Sequence, residues 1–175
     1  PPGTGKTLMA LLAGKDNVPE KYERMIVYRP TFEIGKEMGF LPGSLHEKFA
    51  PWMLPILDNL AVIVGSVGDN GNGNNHGSSQ NYRDEDDDSK SHDPYFLVRD
   101  LIARYELEVS PINYAQGRSV PNAFIILDEA QNITPEDAKL IITRAAMGTK
   151  IVFTGDPTQI VNPHLDPISN GLSYV

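Results

Sequence analysis

Four short apolar runs are spaced along the chain, each bounded by polar or turn-forming residues. A strand covered on both faces is apolar at nearly every position, so these runs predict buried strands at residues 25–28, 107–112, 123–127 and 150–154. The segments between them place apolar residues at helical spacing at 8–13, 95–105 and 135–146. Within residues 34–60 we expect two short helical pieces, because Pro51 and Pro55 would break a single helix.

The alternation of strands and helices predicts an α/β fold with a mostly parallel sheet and helices on both faces. One segment, residues 65–93, interrupts the pattern: it is rich in Gly and Asn and then acidic, with seven acids against Arg83 and Lys90. Too few apolar groups are present there to offset the entropy of ordering, so we expect a disordered insertion in a single domain spanning residues 1–175. Outside it the net charge is only −3 of the total −8, which leaves room for a local basic groove that binds nucleic acid.

The first seven residues have the pattern of a phosphate-binding P-loop that lacks its opening glycine. In such a loop the glycines let backbone N–H groups turn toward phosphate oxygens, a lysine reaches the β- and γ-phosphates, and a hydroxyl binds Mg²⁺. The helix predicted to follow would direct its positive N-terminal end at the same phosphates. We expect the nucleotide to be bound by Pro2, Gly3, Thr4, Gly5, Lys6 and Thr7. The strand that normally precedes such a loop is absent, so we interpret the sequence as a fragment cut inside its nucleotide site; the alternative is an ordinary Gly/Pro turn.

A second motif, two acids directly after the apolar run at residues 123–127, makes the simple turn less plausible. The C-terminal end of a buried parallel strand is where ligands bind in α/β proteins. In P-loop nucleotide hydrolases the first acid holds Mg²⁺ and the second polarises the attacking water. We therefore predict Asp128 as a metal ligand together with Thr7, and Glu129 as the general base. A solvated strand end would not account for the pairing of these acids with a P-loop.

Three further residues are candidates for contacts with phosphate, and two of them, Gln159 and Arg29, are expected at the same edge of the sheet. Gln159 follows the strand at residues 150–154, and its amide can donate to a γ-phosphate oxygen and accept from water. The predicted catalytic residues are thus Glu129, Lys6 and Gln159. Arg29 ends the strand at residues 25–28 and either contacts nucleotide or a bound polynucleotide strand, or is an ordinary edge arginine. Arg118 follows a glycine in a polar loop and is a second candidate for a phosphate or RNA contact.

The composition excludes several other kinds of site. The chain contains no cysteine, so disulfides, thiol catalysis and cysteine-ligated zinc are excluded. Its four histidines are scattered without ligand spacing on one element, and we assign no structural metal. No run of about 18 apolar residues is present, and we expect a cytoplasmic protein without a membrane span.

The motifs in combination closely resemble those of the PhoH-like ATPases. The segments that carry the resemblance are the P-loop, Tyr28-Arg29-Pro30, residues 33–43, Gly117-Arg118-Ser119, Leu127-Asp128-Glu129-Ala130-Gln131 and Thr154-Gly155-Asp156-Pro157-Thr158-Gln159. The resemblance covers nearly the whole chain except residues 65–93. Within the family, Asn162-Pro163-His164-Leu165-Asp166 and Ser169-Asn170-Gly171-Leu172 point to the branch in which a PIN-type ribonuclease domain precedes the ATPase.

The resemblance implies a RecA-like core whose first strand is missing here, Mg²⁺-dependent ATP hydrolysis, and activity on single-stranded RNA as a helicase or translocase. It also implies that a PIN ribonuclease domain belongs to the missing N-terminal part. A single RecA-like unit needs an arginine finger from a neighbouring subunit, which predicts a homo-oligomer. Two other functions remain open: an ATP-binding regulatory switch without motor activity, and a small-molecule kinase, which Glu129 beside Asp128 makes less favourable.

Overall fold

The computed structural model describes residues 3–30, 45–69, 100–115 and 119–175, and of residues 45–52 and 66–69 it describes the backbone alone. Its helices and strands are α1 (Lys6–Asn17), β1 (Arg24–Arg29), α2 (Leu45–Asp69), β2 (Glu108–Pro111), β3 (Ala123–Leu127), α3 (Pro135–Arg144), β4 (Lys150–Phe153) and α4 (Gly171–Tyr174). Residues 100–104 are also helical. Short 3₁₀ turns span Ile112–Ala115 and Ala130–Asn132.

The four strands form one parallel sheet in the order β2-β1-β3-β4. Tyr28 lies opposite Leu127, and Leu127 lies opposite Phe153, so β1, β3 and β4 end at the same level. The residues that follow these ends, among them Asp128 and Thr154, therefore meet at one edge. This confirms the predicted α/β fold with a parallel sheet, which is consistent with a P-loop nucleotide hydrolase.

Alternate residues of the central strands face two separate hydrophobic clusters. On one face Met25 and Phe124 pack with residues of α1 and α2, as the period of two along a strand requires. On the other face Ile26 and Ile125 pack with Ile141 of α3 and with the turn after β3. All five residues of β3 are buried. The sheet is thus covered by helices on both faces, and its carboxyl edge is left for ligands.

The prediction of two short helices within residues 34–60 is wrong in its C-terminal part, because α2 runs without interruption through Pro51 and Pro55. Proline removes a backbone hydrogen bond inside a helix, but packing can outweigh that local loss. Three apolar residues at helical spacing provide the packing: Ile56, Leu60 and Ile63 are at most 4% exposed. They hold α2 against α1 and the sheet.

Other boundaries also differ from the predictions: α1 runs from Lys6 to Asn17, beyond the predicted residues 8–13, and the bounds of β1, β2 and β4 differ by one residue. Helix α2 continues to Asp69, so the first five residues of the predicted insertion are helical; residues 70–93 lie outside the described part of the chain. Helix α3 ends at Arg144 rather than at residue 146. Ala145 instead forms a parallel bridge with Val120, and this pairing removes it from the helix. Among the helices that are described, none combines the length and apolarity that crossing a bilayer requires.

Candidate functional site

The loop that precedes α1 has the backbone geometry of an anion-binding turn. Gly3 and Gly5 have φ angles of 68° and 74°, a left-handed conformation that favours glycine. Gly5 is the N-cap of the twelve-residue helix α1. Glycine brings no side-chain acceptor that would compete with an anion for the first-turn N–H groups, and the helix dipole adds positive potential there. The glycine positions of the predicted P-loop are therefore explained by its conformation.

The carboxylate of Asp128 is buried at the end of β3 and receives hydrogen bonds from two threonines. The Thr7 hydroxyl donates to its Oδ1 at 2.8 Å, and the Thr154 hydroxyl donates to the same oxygen at 2.7 Å. The predicted metal ligands Thr7 and Asp128, 121 residues apart in sequence, are thus in direct contact. A hydroxyl beside a carboxylate is an oxygen-ligand pair that suits Mg²⁺.

Arg29 lies at the carboxyl edge, as predicted, and forms an ion pair with Asp128. Its Nε is 3.2 Å from Asp128 Oδ2, and its side chain is only 15% exposed. The sequence did not indicate this pair, because the two residues belong to different strands. A contact between Arg29 and nucleotide or RNA stays a prediction. Arg118, the other candidate for such a contact, lies outside the described residues, as does Pro2.

Glu129 follows directly in an unusual backbone conformation, with φ 54° and ψ 40°. A non-glycine residue in this left-handed region costs free energy on the order of 1–3 kcal/mol and is held there by its surroundings. Here the amide of Gln131 donates from Nε2 to Glu129 Oε2 at 2.6 Å. The conformation turns the chain after β3, where the 3₁₀ turn Ala130–Asn132 begins.

The loop after β4 carries Gln159 and is organised around Asp156. The Asp156 carboxylate accepts from the hydroxyl and the N–H of Thr158, at 2.7 and 3.0 Å, and from the Gln159 amide at 2.6 Å. These hydrogen bonds, those of Thr158 first, hold the pKa of Asp156 well below its usual range. The loop is therefore a fixed structure that presents Gln159 beside the P-loop.

An open cavity of about 340 Å³ joins these elements, a volume within the range of small-molecule sites. Its lining comprises Gly3, Thr4, Gly5, Lys6, Thr7, Leu8, Asn59, Glu129 and Gln159. The structure thus brings together every predicted catalytic residue and every described residue of the predicted P-loop. Asn59 was missed by sequence reasoning. It lies on α2, and the expectation that this helix was broken gave no basis for placing one of its faces near the P-loop.

Comparison with known proteins gives one consistent result. A family model described as "PhoH-like protein" matches residues 1–175. "Protein PhoH2" of Bacillus subtilis (strain 168) is 39% identical over 175 residues, which cover 99% of this chain and 34% of that protein. A "PhoH-like protein" of Mycobacterium tuberculosis (strain ATCC 25618 / H37Rv) is 37% identical over 164 residues, covering 93% and 38% of the two chains. "Protein PhoH" of Escherichia coli (strain K12) is 32% identical over 172 residues, covering 98% and 40%. The chain therefore spans well under half the length of these relatives.

Proposed function

The chain belongs to the PhoH-like protein family, and from that premise we propose that it binds ATP with Mg²⁺, hydrolyses the γ-phosphate, and couples this hydrolysis to binding or unwinding of RNA. The observation that carries the proposal is the hydrogen bond from Thr7 to Asp128. It joins the P-loop to the acidic end of β3, and Glu129 and Gln159 line the cavity beside it. A phosphate site with a carboxylate poised to act on water is suited to hydrolysis.

Each residue of the site has a distinct role in this proposal. The backbone N–H groups of the loop at residues 3–7 and the Lys6 ammonium bind the β- and γ-phosphates. Thr7 and Asp128 would hold Mg²⁺, which supplies neutralisation of the charge that develops on the phosphate oxygens. Glu129 accepts a proton from the attacking water, and Gln159 contacts the γ-phosphate through its amide.

Activity on RNA and assembly into a homo-oligomer extend this proposal beyond the described site. The family resemblance supports the first, and the need for an arginine finger supports the second. A PIN ribonuclease domain elsewhere in the full-length protein remains a prediction.

The test is ATP turnover by the full-length protein, measured with and without single-stranded RNA and with Glu129→Gln as the blank. We expect RNA to stimulate turnover severalfold or more, because a helicase or translocase hydrolyses ATP fastest when its nucleic acid is bound. Turnover that ignores RNA would favour the alternative, an ATP-binding regulatory switch without motor activity. No turnover above the blank would contradict hydrolysis by this site.

Asn59 offers a second test of where the phosphates bind. Asn59→Asp adds a negative charge to the wall of the cavity with almost no change in shape. We expect ATP affinity to fall roughly tenfold, since repulsion between like charges in a partly desolvated site costs on the order of 1–2 kcal/mol. The affinity can be measured by titration with a fluorescent ATP analogue. Asp58→Asn, one residue away at an exposed position of α2, is the matched control; equal affinity in the Asn59 variant and the parent would place the phosphates elsewhere.

A further inference from the structure

Gln131 is a buried polar residue to which the proposed reaction gives no role. It lies in the 3₁₀ turn Ala130–Asn132, two residues after Glu129, and its side chain has no exposed surface. A buried amide must be hydrogen-bonded, and the partners it uses reveal what it connects. One partner of Gln131 is the carboxylate of the proposed general base, and the other two are backbone groups of the loop after β4.

Both polar atoms of the Gln131 side-chain amide form hydrogen bonds. Its Nε2 donates to Glu129 Oε2 at 2.6 Å and to the carbonyl oxygen of Gln159 at 3.3 Å. Its Oε1 accepts from the N–H of Asp156 at 3.0 Å. Because an amide is planar and rigid, its donor and acceptor atoms cannot reorient independently. A displacement of the loop at residues 155–159 therefore shifts the atom that holds the Glu129 carboxylate.

Gly155 makes this arrangement possible. A Cβ atom at position 155 would overlap Gln131 Oε1, and it would also approach a methyl carbon of Leu172 at 3.1 Å. The backbone of Gly155 is outside the left-handed region that favours glycine, so the missing side chain is explained by the close approach of Gln131 and not by conformation. The loop is thus shaped to admit the Gln131 amide.

We propose that Gln131 is a positioning residue that links the Glu129 carboxylate to the loop carrying Gln159. The loop that the Asp156 carboxylate organises thereby sets the orientation of the base through the Gln131 amide. The inference rests on the proposed ATP hydrolysis, and it adds a fully buried residue that acts through Glu129.

The first experiment compares Gln131→Met with the parent in the full-length protein. Methionine has nearly the same length but cannot donate a hydrogen bond to Glu129. We expect kcat to fall by on the order of 10- to 100-fold, as for a misplaced catalytic group, while KM and ATP affinity change by less than about twofold. Asn132→Ala is the matched control: Asn132 lies in the same turn, and its side-chain oxygen accepts from the Val161 N–H at 2.8 Å. Its backbone N–H donates to the Glu129 carbonyl oxygen at 2.9 Å, and alanine keeps this bond, so the substitution leaves the hydrogen bonds of the Glu129 carboxylate unchanged. A loss of thermal stability without a fall in kcat is expected for that variant.

Gly155→Ala perturbs the same contact without removing any polar group. The added methyl should push the flexible end of Gln131 aside, so kcat should fall as in Gln131→Met even if the methionine variant folds poorly. Combining either variant with Gln159→Ala should add little further loss, because residues that act through one network are not additive.

The outcomes separate this inference from the proposed function. A fall in kcat at constant KM, non-additive with Gln159→Ala, supports the positioning role. Parent-like kcat in both Gln131→Met and Gly155→Ala, or full additivity with Gln159→Ala, overturns it while ATP hydrolysis by the parent stands. A parent protein without ATP turnover overturns the proposed function and this inference together.

Discussion

Glu129→Gln is expected to reduce ATP turnover by about two to four orders of magnitude, the usual contribution of a positioned general base. The substitution changes little else. A glutamine oxygen can still accept the hydrogen bond that Gln131 donates at 2.6 Å, so the left-handed turn after β3 should persist. The new side chain cannot take a proton from water. Nucleotide binding, which depends on the P-loop, should therefore remain within about threefold of the parent value.

Two measurements check this result: steady-state phosphate release, and affinity for a fluorescent ATP analogue. Glu136→Gln serves as the control, because it makes the same chemical change in the first turn of α3, outside the residues that line the cavity. Turnover of the Glu129 variant at the parent rate would assign the base to another residue. Loss of binding in parallel with turnover would mean that Glu129 supports the shape of the site and not its chemistry.

The fold could be predicted largely because its two central strands, β1 and β3, are buried on both faces. The apolar run at residues 123–127 coincides with β3 residue for residue, since no position in it faces water. The same local reasoning failed at α2. Two prolines in the sequence predicted a break in this helix. The helix is continuous because Ile56 and Ile63 are buried against elements distant in sequence, and such packing cannot be read from the local sequence.

The candidate site, like the fold, could be predicted only in part. Lys6, Thr7, Asp128 and Glu129 could be found because their spacing to glycines and to an apolar strand has a chemical meaning on its own. The contacts that orient these residues could not be found from the sequence. Thr154 and Arg29 contact Asp128 from the ends of neighbouring strands. Gln131 belongs to a recognised motif, but the sequence assigned it no role. Such partners depend on strand order and register, which the sequence pattern leaves open.

Asp128→Ala is expected to damage both stability and catalysis, because Asp128 is the meeting point of three side chains. Its removal leaves the Thr7 and Thr154 hydroxyls without their acceptor, and it leaves the mostly buried Arg29 guanidinium without its carboxylate partner. Removing one partner of a buried ion pair lowers the free energy of unfolding by several kcal/mol. We expect a loss of about 2–3 kcal/mol here, because Arg29 retains some exposure to solvent. Urea unfolding followed by circular dichroism, without nucleotide, measures this loss.

Asp128→Asn separates the two effects. The asparagine oxygen can still accept from both threonine hydroxyls, so this variant should unfold closer to the parent than the alanine variant does. It lacks the negative charge that would hold Mg²⁺, and both variants should therefore lose turnover by on the order of 100-fold or more at a Mg²⁺ concentration that saturates the parent. If instead the asparagine variant hydrolysed ATP with the parent dependence on Mg²⁺, Asp128 would be a structural anchor for Arg29 and the cation would be held by other residues.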